Sequence, residues 1–113
     1  MDERILKWLY DIQEAIQEID SYFSEHPKDF IQYKSNILLK RAIERDLEII
    51  GEAINRILKT DPDFPIENAK RIVGLRNQII HAYDSISDET IWAILSKHIP
   101  LLKDEINTLI EKP

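Results

Sequence analysis

The sequence predicts an all-α protein, folded as an antiparallel bundle of four or five helices. Apolar residues recur along most of the chain at intervals of three and four, which is the period of an amphipathic helix. Leu, Ile, Glu, Lys and Ala dominate the composition, as expected of a helical protein. The 113 residues include only 2 glycines, fewer than tight hairpins or phosphate-binding loops require. Sheet-based folds and glycine-loop nucleotide sites are therefore disfavoured.

Length and composition predict one domain that covers residues 1–113 and works in the cytoplasm, away from membranes. Hydrophobic residues make up 43% of the chain and charged residues 32%, which is typical of a globular protein. No apolar run approaches the roughly 20 residues that span a bilayer, and residues 1–8 lack the basic and then apolar order of a signal peptide. The absence of cysteine excludes disulfides and thiolate catalysis. His26 and His98 lack the spacing of a metal site, so we expect neither a metal nor another cofactor.

The net charge of −6 argues against a general nucleic-acid-binding protein, but the charge is unevenly distributed. Residues 1–26 hold seven acidic and two basic residues, and residues 84–113 hold six acidic and three basic residues. The intervening residues 27–83 hold ten basic and eight acidic residues, which is a net charge of +2. Any polyanion is therefore expected to bind the middle of the chain.

The first predicted helix runs from about residue 2 to residue 24. Its apolar seam steps by four and three residues along one face, through Ile5, Leu9, Ile12, Ile16, Ile19 and Phe23. Pro27 cannot continue a helix, so the residues just before it end this one. A short connection follows, with a helical turn expected around residues 30–33.

The second predicted helix runs from about residue 36 to residue 59, and Ser35 or Asn36 is its expected N-cap. Its broad apolar face consists of Leu39, Ala42, Ile43, Leu47, Ile50, Ala53, Ile54, Ile57 and Leu58. Two prolines and two aspartates mark a loop at residues 60–65. The third helix is expected from about residue 66 to residue 82.

The fourth predicted helix starts near Glu89, with Ser87 or Asp88 as its N-cap. Its apolar face consists of Ile91, Ile94, Leu95, His98, Leu101, Leu102, Ile106 and Leu109. Pro100 is expected to kink this helix or to split it into two pieces.

The apolar faces also predict that two copies of the chain associate. They are wide for so small a bundle, because the first helix is apolar over more than one seam. Tyr22 and Trp92 have no obvious partner within the chain. We therefore expect a homodimer.

Residues 76–83, Arg-Asn-Gln-Ile-Ile-His-Ala-Tyr, carry the clearest signal of chemistry. Arg76 can hold a phosphate through paired hydrogen bonds, and His81 can transfer protons near pH 7. Together they are suited to cleaving RNA, which carries its own nucleophile in the 2′-OH. Asn77, four residues before His81, would orient the imidazole or donate to phosphate. Tyr83 would contribute a hydrogen bond, stack on a base or be a modification target. Arg76 and His81 lie roughly 140° apart on a helix, which favours a cleft where two copies of the motif meet.

Charged residues on the second helix form like-charge pairs four residues apart. The pairs are Arg41 with Arg45, Glu44 with Glu48, and Glu48 with Glu52, whereas Glu52 and Arg56 attract each other. Such spacing disfavours an isolated solvated helix, so we expect these side chains to meet opposite charges on a neighbouring helix or protomer. Arg45 and Glu52 would then either reach the cleft, where they position Arg76 or His81, or belong to a structural ion network.

The motif Arg76-x₄-His81-x-Tyr83 resembles the signature of the HEPN superfamily, and specifically of its HepT-like branch. The resemblance covers nearly the whole chain and includes three blocks, residues 41–53, 62–83 and 91–102. It implies a HEPN-like helical bundle that forms homodimers, with Arg76 and His81 of both protomers as the catalytic residues of a shared cleft. It also implies an RNase toxin of a toxin–antitoxin pair, silenced when a minimal nucleotidyltransferase of the MntA kind attaches AMP to Tyr83.

The chain departs from many members of that branch at three positions. Ile66 stands where an aromatic residue is common, Ala82 where glycine is common, and Asp84 where an aromatic residue is common. Asp84 adds negative charge beside the expected RNA cleft. Two functions remain open: a metal-independent endoribonuclease, or a catalytically weak subunit that presents Tyr83 to a nucleotidyltransferase or docks with it. A purely structural dimer would leave residues 76–83 unexplained.

Overall fold

The computed structural model describes residues 1–68, 72–74, 77 and 87–111, and these form a helical bundle. Its helices are α1 (Glu3–Glu25), α2 (Phe30–Ser35), α3 (Ile37–Thr60), α4 (Asp88–Ala93) and α5 (Ile99–Glu111). A π-helical turn, Ile94–His98, joins the last two. Residues 72–74 and 77 are also helical, and no described residue belongs to a strand. The predicted all-α bundle is confirmed. None of the described helices has the length and apolar character needed to cross a membrane.

Helix α1 forms where its apolar seam predicts it. Asp2 caps its start, because the Asp2 carboxylate accepts a hydrogen bond from the backbone N–H of Arg4 at 2.7 Å. The helix ends where the backbone N–H of His26 donates to the carbonyl of Tyr22, just before Pro27. Its buried residues are Ile5, Leu9, Ile12, Ala15, Ile16 and Ile19. Helix α5 packs antiparallel on α1, as two side-chain hydrogen bonds show. Gln13 donates to Asn107 at 3.0 Å, and Lys103 donates to Asp20 at 2.7 Å.

Helices α2 and α3 meet at Asn36, which ends one and caps the other. The Asn36 side chain accepts a hydrogen bond from the backbone N–H of Leu39 at 3.0 Å, so Asn36 rather than Ser35 is the cap. The Ser35 hydroxyl donates instead to the carbonyl of Gln32. The buried residues of α3 are Leu39, Ile43, Asp46, Leu47, Ile50, Gly51, Ala53, Ile54 and Ile57. The predicted apolar face is confirmed, with one carboxylate, Asp46, inside it.

The expected start of the third helix at residue 66 is wrong. Ile66 is buried but not helical, and residues 67 and 68 form a turn. The backbone N–H of Ile66 donates to the carbonyl of Phe64 at 2.8 Å, so the chain is still turning there. The apolar side chain of Ile66 is buried in the core although the residue lies in a loop. The prediction had placed the helix start directly after the loop at residues 60–65. The expected end of this helix at residue 82 lies outside the described residues.

The fourth predicted helix is split before Pro100, as expected. Ser87 is its N-cap, since its hydroxyl accepts a hydrogen bond from the backbone N–H of Thr90 at 3.1 Å. In the π-helical turn the backbone N–H of Ile99 donates to the carbonyl of Ile94, five residues back. Pro100 has no N–H, and its ring would press on the carbonyl of Ser96 in a regular α-helix. The wider turn relieves that clash.

The π-helical turn also changes which side of α5 faces the core. One extra residue in a turn rotates everything after it by about 100°. Ile99 is therefore buried, whereas Leu101, expected on the apolar face, is 55% exposed. The prediction for Leu101 was wrong because it assumed an uninterrupted α-helical period.

The reasoning that Tyr22 and Trp92 need a partner outside the chain is also wrong. The hydroxyl of Tyr22 donates a hydrogen bond to the carboxylate of Asp46 at 3.0 Å. Trp92 belongs to an aromatic cluster in which its ring centroid lies 5.9 Å from that of Phe23, 5.8 Å from that of Phe30 and 5.3 Å from that of Tyr33. Both side chains therefore have partners within the same chain, Tyr22 on α3 and Trp92 on α1 and α2. The homodimer stays a prediction that rests on other grounds.

Candidate functional site

Three of the residues to which the sequence assigns chemistry, Arg76, His81 and Tyr83, lie outside the described residues. Asn77 is described: it is helical and its side chain is exposed. Arg45 and Glu52, the predicted accessory residues, both lie on α3. The part of the candidate site that can be described is therefore the surface around α3.

A groove runs between α1 and α3, and we call it the α1/α3 groove. Its volume is about 380 Å³, and its lining residues are Trp8, Asp11, Arg45, Glu48, Ile49, Glu52, Ala53 and Arg56. The structure thus brings Arg45 and Glu52 together on one concave surface. Asn77 is not among the residues that line it.

The helical period explains why these side chains share the groove. On α3, Arg45, Glu48, Glu52 and Arg56 follow each other at intervals of three and four residues, so they lie on one side of the helix. The half-buried Ile49 and the buried Ala53 form an apolar floor. The opposite wall comes from α1, three residues apart, as Trp8 and Asp11. The groove therefore combines an aromatic wall, an apolar floor and a charged rim.

Three of the described ion pairs on this surface lie within α3. Arg45 lies 4.0 Å from Glu48, Arg41 lies 3.2 Å from Glu44, and Arg56 lies 3.1 Å from Glu52. The predicted attraction between Glu52 and Arg56 is confirmed. That the charges on α3 also meet partners on another helix or protomer stays a prediction. The repulsions at four residues were counted correctly, but the attractions at three residues were overlooked.

The ion pair between Arg45 and Glu48 is the weakest of the three in its geometry. The side chain of Arg45 is 70% exposed, and its pair with Glu48 stands at the outer limit of an ion pair. Exposed pairs of this kind contribute about 0 to 1 kcal/mol. Across the groove, Lys7 pairs with Asp11 at 2.9 Å. The three carboxylates of the rim thus each have a cation beside them, and the Arg45 guanidinium can turn to another anion at small cost.

A second groove continues along the same two helices and is acidic. This acidic groove has a volume of about 180 Å³ and is lined by Asp11, Glu14, Ala15, Glu18, Asp46 and Ile49. None of these lining residues is basic. The negative rim disfavours phosphate there, in contrast with the balanced rim of the α1/α3 groove.

Asp46 lies at the base of the acidic groove and is only 1% exposed. Burial raises the pKa of its carboxyl group to about 7, and the neighbouring carboxyl of Glu18 adds to the rise. The hydroxyl of Tyr22 and the charge of Arg45 act in the opposite direction. A carboxyl group held in this way takes up a proton near neutral pH.

Sequence reasoning missed Trp8, Asp11 and Asp46 as members of these grooves. Asp46 had a readable signal, since it falls three residues after Ile43 and four before Ile50, inside an apolar face. Trp8 lies beside the apolar seam of the first helix, and only the packing of α1 on α3 places it at the edge of a groove. Among the described residues, no group of three or more His, Asp or Glu side chains is arranged to hold a metal ion.

Comparison with known proteins gives the chain a family. Residues 12–109 match the sequence model of the HepT-like family, described as ribonuclease HepT-like. The chain is 35% identical over 109 residues to a Methanocaldococcus jannaschii protein named "Putative RNase MJ1380", covering 94% of this chain and 97% of the other. It is 33% identical over 107 residues to the Thermococcus cleftensis protein named "Probable ribonuclease HepT", covering 90% and 92%.

A third relative shows the same kinship. The chain is 32% identical over 87 residues to a Caldanaerobacter subterraneus protein named "Putative RNase TTE0752", covering 74% of this chain and 75% of the other. No solved structure is similar enough to count as a match. The resemblance drawn from residues 41–53, 62–83 and 91–102 is confirmed. The chain belongs to the HepT-like family.

Proposed function

We propose that this protein is a metal-independent endoribonuclease and the toxin of a toxin–antitoxin pair. The observation that carries the proposal is the family match over residues 12–109, which spans the whole motif Arg76-x₄-His81-x-Tyr83. The relatives from Methanocaldococcus jannaschii and Thermococcus cleftensis described above are named as RNases. An arginine, a histidine and a substrate with an internal nucleophile are together sufficient for this chemistry.

The proposed reaction transfers a phosphoryl group within the RNA. The imidazole of His81 removes the proton from the 2′-OH, and the 2′-oxygen attacks the neighbouring phosphorus. The bond from phosphorus to the 5′-oxygen breaks, and that oxygen leaves with a proton from an imidazole. The products carry a 2′,3′-cyclic phosphate and a 5′-OH. Arg76 holds the phosphate and stabilises the charge that develops on its oxygens in the transition state.

A homodimer would supply both proton-transfer roles at once. Two copies of His81 in a shared cleft can act as base and acid, and two copies of Arg76 can hold the phosphate. Asn77 would orient the imidazole or donate to phosphate. Arg45 and Glu52 would act as positioning residues from α3, and their common place in the α1/α3 groove supports that role.

Modification of Tyr83 would silence the enzyme. In the proposed step the phenol oxygen attacks the α-phosphorus of ATP bound by an MntA-like nucleotidyltransferase, and pyrophosphate leaves. The AMP that remains on Tyr83 adds bulk and negative charge to a cleft that must accept RNA phosphate. The antitoxin of the pair is then this nucleotidyltransferase.

The experiment that tests the nuclease is RNA cleavage in EDTA by protein whose Tyr83 is shown to be unmodified by mass spectrometry. We expect 2′,3′-cyclic phosphate ends, and we expect His81→Ala to lower the rate by about 10² to 10⁴. Arg76→Ala should abolish cleavage as well, with the dimer intact. His26→Ala is the matched control, because His26 is an exposed residue at the end of α1. Full activity of either motif variant would refute the proposal.

The second candidate function is a weakly catalytic subunit that docks with the nucleotidyltransferase. Asp84, next to Tyr83, favours it, because a carboxylate beside the cleft opposes RNA binding. In that case unmodified wild-type protein leaves RNA intact, while Tyr83→Phe prevents AMP transfer from the nucleotidyltransferase.

A further inference from the structure

The α1/α3 groove has the parts of a nucleotide-binding surface. The indole of Trp8 forms one wall, Ile49 and Ala53 form the floor, and Arg45 stands on the rim. We propose that this groove binds one nucleotide of the RNA, with its base against Trp8 and its phosphate held by Arg45. The inference rests on the proposed function, and it adds a substrate subsite built from α1 and α3.

Trp8 is placed to serve as a stacking wall. Its side chain is half-buried against the core, so its position is fixed by the packing of α1 on α3. Aromatic side chains that line grooves stack on nucleobases of any sequence, since every base offers a flat face. Tyr10, on the same helix, is 49% exposed but does not line the groove. It provides a matched control of the same chemical kind.

Arg45 is the cation that the groove can offer to a phosphate. Its guanidinium lies 4.0 Å from Glu48, whereas that of Arg56 lies 3.1 Å from Glu52. The looser pair separates more easily, and guanidinium matches phosphate with two parallel hydrogen bonds. Glu48, once released, can accept a hydrogen bond from an amino group of the base. Arg41 is exposed to the same degree but lies outside the groove, so it is the control for Arg45.

The neighbouring acidic groove limits where the RNA strand can continue. The two grooves share Asp11 and Ile49, so a strand that leaves the α1/α3 groove on that side meets Glu14 and Glu18. Phosphates are repelled there. The strand is therefore expected not to continue past Asp11 and Ile49 into the acidic groove.

The test uses the fluorescence of Trp8 in the Trp92→Phe variant, because the chain has only 2 tryptophans. The probe is an oligoribonucleotide with 2′-O-methyl groups, which lacks the nucleophile and cannot be cleaved. We expect saturable quenching of the Trp8 emission. Arg45→Ala should weaken binding about tenfold, as expected for the loss of a charge-assisted pair, while Arg41→Ala should leave it unchanged. With unmodified RNA, Trp8→Leu should raise KM at least about fivefold with little change in kcat, unlike Tyr10→Leu.

The outcomes separate this inference from the proposed function. If the protein cleaves RNA but the Trp8 emission does not respond to the probe, the subsite is refuted and the nuclease stands. If the emission responds but no RNA is cut, the subsite stands and the nuclease falls. Equal binding by Arg45→Ala and the parent protein refutes the assignment of the phosphate. An emission that depends on protein concentration without RNA, and ignores the probe, means that a second copy fills the groove and also refutes the subsite.

Discussion

The buried carboxyl group of Asp46 makes the stability of this protein depend on pH in a defined direction. Its pKa is raised from 3.8 to about 7 in the folded state, so between those values the folded chain keeps a proton that the unfolded chain releases. The stabilising contribution of Asp46 to the free energy of unfolding has its full value below pH 3.8. It is lost as the pH rises towards 7, and the loss is complete above that value.

The magnitude follows from the same values. Each pH unit within the window is worth about 1.4 kcal/mol. Between pH 5 and pH 8 the group should therefore lower the free energy of unfolding by roughly 2 to 3 kcal/mol. Replacing it by Asp46→Asn removes the titration while preserving an oxygen that can accept the hydrogen bond from Tyr22. The new amide N–H groups add a cost that does not vary with pH.

The assay is urea unfolding of wild-type and Asp46→Asn protein at several values of pH and one protein concentration. We expect the variant to gain about 2 to 3 kcal/mol relative to wild type from pH 5 to pH 8. With Asp46 in place, Glu18→Gln should move the pH range in which the free energy of unfolding falls to lower pH, because the Glu18 carboxyl raises the pKa of Asp46. A difference that is constant within about 0.5 kcal/mol over this range would refute the assignment.

Three further predictions concern the stability of the bundle. Tyr33 is buried, and its hydroxyl has no hydrogen-bond partner among the described atoms. Tyr33→Phe should therefore raise the free energy of unfolding by about 1 kcal/mol. A decrease of that size would contradict the prediction. Asn36→Ala should cost about 1 kcal/mol in urea unfolding through the lost cap of α3, whereas Ser35→Ala should cost little. Ile54→Ala should lower the free energy of unfolding by about 2 to 5 kcal/mol, because the side chain is fully buried. Ile31→Ala, at a 74% exposed position, should change it by no more than about 0.5 kcal/mol. Similar losses in both variants would refute the burial of Ile54.

The fold was largely predictable because local signals agreed with one another. The steps of four and three between Ile5 and Ile19 matched the buried face of α1, and short polar residues at 36 and 87 matched the caps. Tertiary packing decided what these signals did not contain. Ile66 is buried from a loop, and Trp92 finds its partners on α1 and α2. Neither result can be read from the period of a single segment.

The candidate site was predictable in its chemistry and less so in its surroundings. The spacing of Arg76, His81 and Tyr83 identified the family, and the family match confirms that identification. Arg45 and Glu52 were chosen for their charges, and they do share a groove. Trp8 could not be chosen, because which face of α1 borders α3 is decided by packing of two helices distant in sequence.

The π-helical turn before Pro100 has a consequence for comparing this chain with its relatives. It is equivalent to one inserted residue, so a relative with one residue fewer between positions 94 and 98 can present the same core face from an unbroken α-helix. Such a relative would not need a proline at position 100. In an alignment, a one-residue gap in this stretch together with the loss of Pro100 would leave the buried face of the helix unchanged. A gap that keeps Pro100 would bring back the clash of its ring with the carbonyl of residue 96.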